Sequence, residues 1–144
     1  MIAVGCDHAG YELKKDVLKF LSENGYEYKE YGCMNGESVD YPDVGHAVGY
    51  AVTSGECEKG IVICGTGIGI AMAANKVKGI RAAVCSDCYS VKMTREHNDA
   101  NVLSFGARVV GSGLAVMMVE TFLTTEFSNG ERHIRRINKM ESIE

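Results

Sequence analysis

The sequence predicts an α/β fold in which a parallel β-sheet is covered by helices on both faces. Two observations carry this prediction. Short apolar segments alternate with helical patterns along the chain, as they do where crossover helices join parallel strands. The run at 61–63 (Ile-Val-Ile) is β-branched without polar alternation, which indicates a strand buried on both faces. No repeat, linker or low-complexity segment interrupts the 144 residues, so we expect one domain, residues 1–144.

The chain opens with a short apolar strand at 2–6, followed by the polar turn Asp7-His8. A first helix comes next, with apolar side chains spaced for one face and lysines on the outside. Glycine suits the left-handed end of a helix, so Asn24-Gly25 is expected to end it. The expected inner set is Leu13, Val17, Phe20 and Leu21, and the expected outer set is Lys14, Lys15 and Lys19.

The next elements lead to the centre of the chain. Residues 26–31 (YEYKEY) alternate aromatic and polar residues with period two, which is typical of a half-exposed strand at a sheet edge. A polar loop runs to 40–43 (DYPD), where Pro42 suits the first turn of a helix. That helix leads to the central strand, which begins near Gly60.

The second half of the chain continues the alternation. We expect, in order, a fourth strand, a helix, a fifth strand, a strongly apolar helix that would need a partner surface, and a basic amphipathic helix. Their expected ranges are 79–85, 87–98, 102–105, 114–123 and 132–140, the last within a C-terminal segment of about 130–143.

The candidate site centres on the turn after the central strand. The strand ends at Cys64, and a helix is expected to begin near residue 68. Between them, Gly65, Gly67 and Gly69 let the backbone turn sharply and present bare N–H groups at a helix N-terminus. Such a position favours an anion or a developing oxyanion, and it favours Cys64 as a thiolate, the nucleophilic and basic form.

Other interpretations of this turn are excluded or remain open. A dinucleotide-binding G-x-G-x-x-G would need glycine at position 70, or glycine or alanine at position 72, where the chain has Ile70 and Met72. A Walker phosphate loop would need Lys-Ser/Thr after Gly69. The open alternative is that Cys64 is merely a small buried residue at a strand end, as free cysteines often are.

Composition excludes several classes of protein. The net charge of −4 and the absence of Lys/Arg clusters in the first two-thirds argue against a nucleic-acid binder. No apolar run approaches the roughly 20 residues of a membrane span, and Asp7 brings a charge too early for a signal peptide. The six cysteines mostly lie in or beside apolar runs, so we expect reduced thiols in the cytoplasm. Cys85 and Cys88 have C-x-x-C spacing but lack the second pair of a zinc site.

Polar residues are expected together at the carboxyl ends of the strands, where α/β sheets bind ligands. They are Asp7-His8, the Cys64 turn and Asp87. Because aspartates often cap helices, Asp7 also has a purely structural interpretation.

Further candidates follow later in the chain. His97-Asn98 could contribute an imidazole to the site or only cap a helix. Arg132 and Arg136 lie one helical turn apart, and they could bind a phosphate or only form a solvated face of the helix. With the thiol, the set suits proton abstraction next to a carbonyl on a small phosphorylated substrate, with no metal and no other cofactor.

Eight ordered motifs together resemble the ribose-5-phosphate isomerase B family, which also includes the galactose-6-phosphate isomerase subunits. The resemblance implies a three-layer α/β/α sandwich with a five-stranded parallel sheet of Rossmann-like type. It also implies a homodimer, or a dimer of dimers, with active sites shared at the subunit interface. The reaction implied is the interconversion of ribose 5-phosphate and ribulose 5-phosphate without metal or nucleotide. The motifs are 5–10 (GCDHAG), 40–43 (DYPD), 63–69 (ICGTGIG), 73–76 (AANK), 79–82 (GIRA), 97–101 (HNDAN), 105–108 (FGAR) and 132–136 (RHIRR).

The resemblance also implies a role for each matching residue. Cys64 would be the base that moves a proton between C1 and C2 through an enediolate, and His97 would open the furanose ring. Asp7 and Tyr41 would hold sugar hydroxyls or aid ring opening, and Asn98 would orient the enediolate. The oxyanion hole would comprise the amides of Gly65, Thr66, Gly67, Ile68 and Gly69 with the Thr66 hydroxyl, and the phosphate would be bound by His8, Arg108, Arg132 and Arg136.

Part of the family uses a glutamate a few residues after the cysteine position. This chain has Cys64 and an aliphatic Ile70, so it resembles the cysteine branch. Two alternatives stay open: a hexose-phosphate isomerase, acting on allose or galactose 6-phosphate, and a non-catalytic sugar-phosphate-binding subunit. The resemblance further implies that the His97-Asn98 turn and Arg108 reach across the interface into a partner's site.

Overall fold

The computed structural model describes all 144 residues. Five parallel strands form one sheet, in the order β2-β1-β3-β5-β4. The expected α/β fold is therefore confirmed. The strands are β1 Ile2–Cys6, β2 Tyr28–Gly32, β3 Lys59–Cys64, β4 Ala82–Val84 and β5 Val102–Gly106.

Helices cover both faces of the sheet and complete the three layers. Side chains of α1, α4 and α5 pack in the core on one face, and those of α2 and α3 pack in the core on the other. Helix α6 lies against α4. None of the helices combines the length and the apolar character that a membrane span requires. The helices are α1 Tyr11–Glu23, α2 Tyr41–Thr53, α3 Ile68–Ala74, α4 Cys88–Asn98, α5 Ser112–Thr124 and α6 Glu131–Glu141, with a 3₁₀ turn at His8–Gly10.

Two strands are shorter than the sequence predicts. The fourth strand does not begin at Gly79, where φ is +93°, because residues 79–81 form a turn fixed by the Asn101 side chain. The second strand starts at Tyr28 because Tyr26 still donates its N–H to the end of α1. It does lie at the sheet edge, as predicted.

The expectation that Lys14 faces outward is wrong. Its side chain is only 1% exposed, and Nζ donates to the Cys33 carbonyl oxygen at 2.6 Å and pairs with Glu30 at 2.9 Å. A buried ammonium is tolerated only where such partners replace water. The helical spacing placed Lys14 beside Leu13 and Val17, which are buried, but it could not show that an acceptor would lie opposite.

The apolar helix α5 divides its apolar side chains between the core and the surface. Met118 and Phe122 are among those that pack inside the chain, against α1, α4 and the sheet. Met117 on α5 is 59% exposed, and on α3 Ile68 is 53% and Met72 65% exposed. Both α3 and α5 therefore carry uncovered apolar side chains, and the expectation that α5 needs a partner surface stays a prediction.

The strand order also determines where a ligand can bind. The chain moves from β1 outward to β2, and then returns to the other side of β1 at β3. The connection after β1 runs toward β2, and the connection after β3 runs the other way, toward β4. The two connections therefore leave a crevice outside the carboxyl ends of β1 and β3. Asp7 follows β1 and Cys64 ends β3, so both border that crevice.

Candidate active site

Cys64 is the last residue of β3 and its thiol is held by the turn that follows. The side chain is 5% exposed, and Sγ accepts the N–H of Gly67 at 3.1 Å. Gly67 has φ +80°, and a Cβ there would lie 2.6 Å from the Phe105 carbonyl carbon. Only glycine fits this position, so the close approach of its N–H to sulfur follows from the sequence.

The turn leaves a defined set of amide donors free. The Gly67 N–H is taken by Cys64 Sγ, and the Ile68 N–H donates to Thr66 Oγ1 at 3.2 Å. The N–H groups of Gly65, Thr66 and Gly69 donate to no group of the chain. The candidate oxyanion donors are therefore these three rather than every amide from 65 to 69.

Residues at and just after the end of β5 hold the glycine-rich turn in place by hydrogen bonds. Ser104 Oγ donates to the Gly67 carbonyl oxygen at 2.6 Å, and the N–H of Arg108 donates to the Gly65 carbonyl oxygen at 3.0 Å. Sequence reasoning missed Ser104. Its signal was a single hydroxyl inside an otherwise apolar buried strand, where a polar group needs a partner.

Asp7 lies directly beside the end of β3. Its N–H donates to the Ile63 carbonyl oxygen at 3.2 Å, and its Oδ1 accepts the N–H groups of Ala9 and Gly10 at 2.9 and 3.2 Å. The carboxylate is thus a cap for the 3₁₀ turn, while Oδ2 has no partner within the chain. His8 follows it at the surface.

Two further candidates flank the glycine-rich turn. A Cβ on Gly69 would lie 2.7 Å from the Tyr41 ring, and a Cβ on Gly65 would lie 3.1 Å from Arg108 Nη1. Arg108 therefore packs on the turn of its own chain. The expectation that it reaches across the interface into a partner's site did not include this contact. The Tyr41 phenol and the Arg108 guanidinium thus lie next to the free amide N–H groups.

A second group of candidates surrounds the end of α4. The imidazole of His97 stacks on that of His133, with centroids 4.3 Å apart and planes inclined by 12°. Burial lowers the pKa of His133, and His97, Arg132 and Arg136 lower it further. A shallow cavity of about 490 Å³ includes His97, Arg132 and His133 in its lining. Sequence reasoning gave His133 no role.

The two groups lie at opposite ends of the sheet. Helix α4 returns from the carboxyl end of β4 to the amino end of β5, so His97 and Asn98 at its last turn are at the amino end. Cys64 is at the carboxyl end of β3, and α4, with 11 residues, is about 16 Å long. Asp7, His8, Tyr41 and Arg108 lie with Cys64, whereas Asn98, Arg132 and Arg136 lie with His97 or on the adjacent α6.

The remaining acidic and thiol candidates are structural. Asp87 caps α4, accepting the Ser90 N–H at 2.6 Å and the Ser90 hydroxyl at 2.9 Å. All six cysteines are free thiols, and burial raises the pKa of Cys6 and of Cys85 to about 11 in each case. No three His, Cys, Asp or Glu side chains are grouped so that they could hold a metal ion.

Comparison with known proteins gives a consistent result. Residues 2–140 match the ribose/galactose isomerase family. Ribose-5-phosphate isomerase B of Escherichia coli is 48% identical, over 99% of this chain and 95% of that protein. D-erythrulose-4-phosphate isomerase of Pectobacterium atrosepticum is 42% identical, over 90% and 86%. The structure of Clostridium thermocellum ribose-5-phosphate isomerase B superposes with a TM-score of 0.95 at 56% identity, covering 97% of this chain and 94% of that one.

Proposed function

The chain belongs to the ribose/galactose isomerase family, and from this premise we propose that it interconverts ribose 5-phosphate and ribulose 5-phosphate. One observation carries the proposal for this chain. A thiol that accepts a backbone N–H stands beside three unpaired backbone N–H groups, at the point where the sheet topology opens a crevice. A base next to preorganised oxyanion donors is what an enediolate reaction requires.

The proposed chemistry needs only proton transfers. Cys64, as the thiolate, removes the C2 proton of the open-chain aldose, and the electron pair moves to form the C1–C2 double bond of an enediolate. The N–H groups of Gly65, Thr66 and Gly69 stabilise the negative oxygen, each donor contributing about 10²–10³ in rate. Cys64 returns the proton to C1, while the hydroxyl proton of O2 passes to O1 and the C2 oxygen becomes the ketone. Every proton stays within the substrate and the site, so no external oxidant or reductant enters.

Two further roles need side chains from the second group: His97 opens the furanose ring, and Asn98 orients the enediolate. Asp7 and Tyr41, which lie with Cys64, hold sugar hydroxyls or aid ring opening. We propose that a homodimer, alone or as a dimer of dimers, brings the His97 end of one subunit to the Cys64 end of its partner. The separation of the two groups along the sheet supports this arrangement, because Cys64 and His97 lie at opposite ends of the sheet within one subunit. The six free thiols suit the cytoplasm, which we propose as the site of the reaction.

Substrate length is the point on which relatives differ, since one of them is named as a tetrulose-phosphate isomerase. We expect kcat/KM on ribose 5-phosphate to exceed that on allose 6-phosphate and on D-erythrulose 4-phosphate by at least about tenfold, since one misplaced carbon costs about 1–3 kcal/mol. Coupled assays on the three substrates measure this. A preference for allose 6-phosphate would favour the hexose alternative, and no turnover of any substrate would favour a binding subunit.

The phosphate site gives a second test. Replacing Arg136 with alanine should lower kcat/KM on ribose 5-phosphate by about 10- to 150-fold, the range for one charge-assisted hydrogen bond of about 1.5–3 kcal/mol. The loss should nearly disappear with unphosphorylated ribose. Arg135→Ala, in the same exposed helix, is the matched control and should have little effect. An equal loss on both sugars would mean that Arg136 supports the fold instead.

A further inference from the structure

Arg81 is the one charged side chain of the 79–82 motif and has no role in the proposed reaction. It lies in the turn before β4, and its side chain is 20% exposed. All three guanidinium nitrogens donate hydrogen bonds: Nε to the Asn98 carbonyl oxygen at 2.9 Å, Nη2 to the Asp99 carbonyl oxygen at 2.9 Å, and Nη1 to Glu141 Oε1 at 2.7 Å. Because the guanidinium donors form a rigid planar fork, an arginine with every nitrogen bonded imposes one geometry on its partners.

The first two acceptors belong to the turn that ends α4. Asp99 adopts φ +46°, the left-handed region that non-glycine residues seldom occupy without support. His97 and Asn98 directly precede it, so the direction of both side chains depends on how this turn is held. The carbonyl oxygens at a helix end have no partner within the helix, and Arg81 supplies donors to two of them.

A second arginine holds the same turn from inside the chain. Arg95 is buried, and its Nη1 donates to Asp99 Oδ1 at 2.8 Å and to the Ala100 carbonyl oxygen at 2.7 Å. The turn therefore keeps internal support when Arg81 is removed. Arg81 adds the outer contacts, including the ion pair with Glu141 at the end of α6, the helix that also carries Arg132 and Arg136.

We propose that Arg81 is a positioning residue for catalysis. It fixes the His97-Asn98 turn and connects this turn to α6, so that the side chains of His97 and Asn98 keep the orientation in which they contact the substrate. This proposal rests on the proposed function of His97 and Asn98. A lysine could keep the charge but not the three bonds, because its ammonium is a point donor without the planar fork.

The first experiment compares three variants in the full-length protein. Arg81→Gln and Arg81→Lys should each lower kcat/KM on ribose 5-phosphate by about 10- to 100-fold, since misplacing a group by about 1 Å costs up to 10²-fold. Lys92→Gln removes one positive charge from the exposed face of α4 and should change kcat/KM less than twofold. Full activity in Arg81→Lys would overturn the proposal, because charge alone would then suffice.

A double-mutant cycle separates positioning from a general structural role. In a His97→Ala/Asn98→Ala background, Arg81→Gln should cause less than about a threefold further loss, because the groups that it positions are already gone. A further loss as large as in the wild-type background would mean that Arg81 acts elsewhere. If the His97→Ala/Asn98→Ala protein itself kept full activity, the proposed function of this turn would fail, and the role of Arg81 would fail with it.

Histidine NMR provides a readout that is independent of turnover. The chain has four histidines, and His8 and His46 lie away from this turn. In Arg81→Gln, the ring signals of His97 and His133 should shift because their stacking changes, while those of His8 and His46 stay in place. If that variant does not fold, Glu141→Gln removes only the ion pair and should give smaller changes at the same two rings. Unchanged His97 and His133 signals in a variant with reduced activity would contradict positioning.

Discussion

Replacing Cys64 with alanine is expected to lower kcat for ribose 5-phosphate isomerisation by about 10²–10⁴-fold, the contribution of a positioned general base. Affinity for a phosphorylated sugar acid, which lacks the proton to be moved, should change little. The reason is geometric: the thiol occupies the strand end beside the free amides, so its loss removes the proton carrier but leaves the donors in place. Steady-state kinetics and inhibitor titration measure the two quantities separately.

The matched control for this substitution is Cys88→Ala. Cys88 is a half-buried thiol at the start of α4, outside the candidate site, and its replacement should leave kcat unchanged. Thermal unfolding should show that Cys64→Ala is folded, since the substitution removes only the sulfur atom and one hydrogen bond of about 1 kcal/mol. If Cys64→Ala kept more than about a tenth of the wild-type kcat, another group would be the base.

The features that the sequence predicted well are those that local spacing determines. The uninterrupted β-branched run gave the central strand, and the glycine spacing after Cys64 gave the turn and the start of α3 at Ile68. These elements depend on residues within a few positions of each other, and tertiary contacts did not override them. The resemblance to the ribose-5-phosphate isomerase B family is confirmed.

The features that the sequence did not predict depend on contacts between distant segments. Lys14 is buried because the Cys33 carbonyl oxygen and Glu30 lie opposite it across β2, and no helical spacing contains that information. The set of free amides could not be predicted either, since it depends on which N–H groups Cys64 Sγ and Thr66 Oγ1 already accept. The stacking of His97 on His133 joins two helices separated by more than thirty residues.

The distribution of candidate residues between the two ends of the sheet leads to the second large prediction. Two inactive proteins, Cys64→Ala and His97→Ala, should restore activity when they are denatured and refolded together. A two-fold dimer repeats each contact, so a site built from the carboxyl end of one subunit and the amino end of the other occurs twice. A mixed dimer then has one site with both lesions and one site with neither.

Random pairing puts about half of the molecules in the mixed class, each with one intact site, so activity on ribose 5-phosphate should recover to about a quarter of wild type. The control mixes Cys64→Ala with Asp7→Asn. Both of these lesions lie at the carboxyl end, so every site in the mixed dimer contains one of them and activity should not recover. Differently tagged subunits and gel filtration establish that mixed dimers form in both experiments. If mixed dimers of Cys64→Ala and His97→Ala stayed as inactive as their parents, the active site would not combine the two ends. The uncovered apolar side chains of α3 could then still hold two subunits together, but the dimer would contribute no catalytic group.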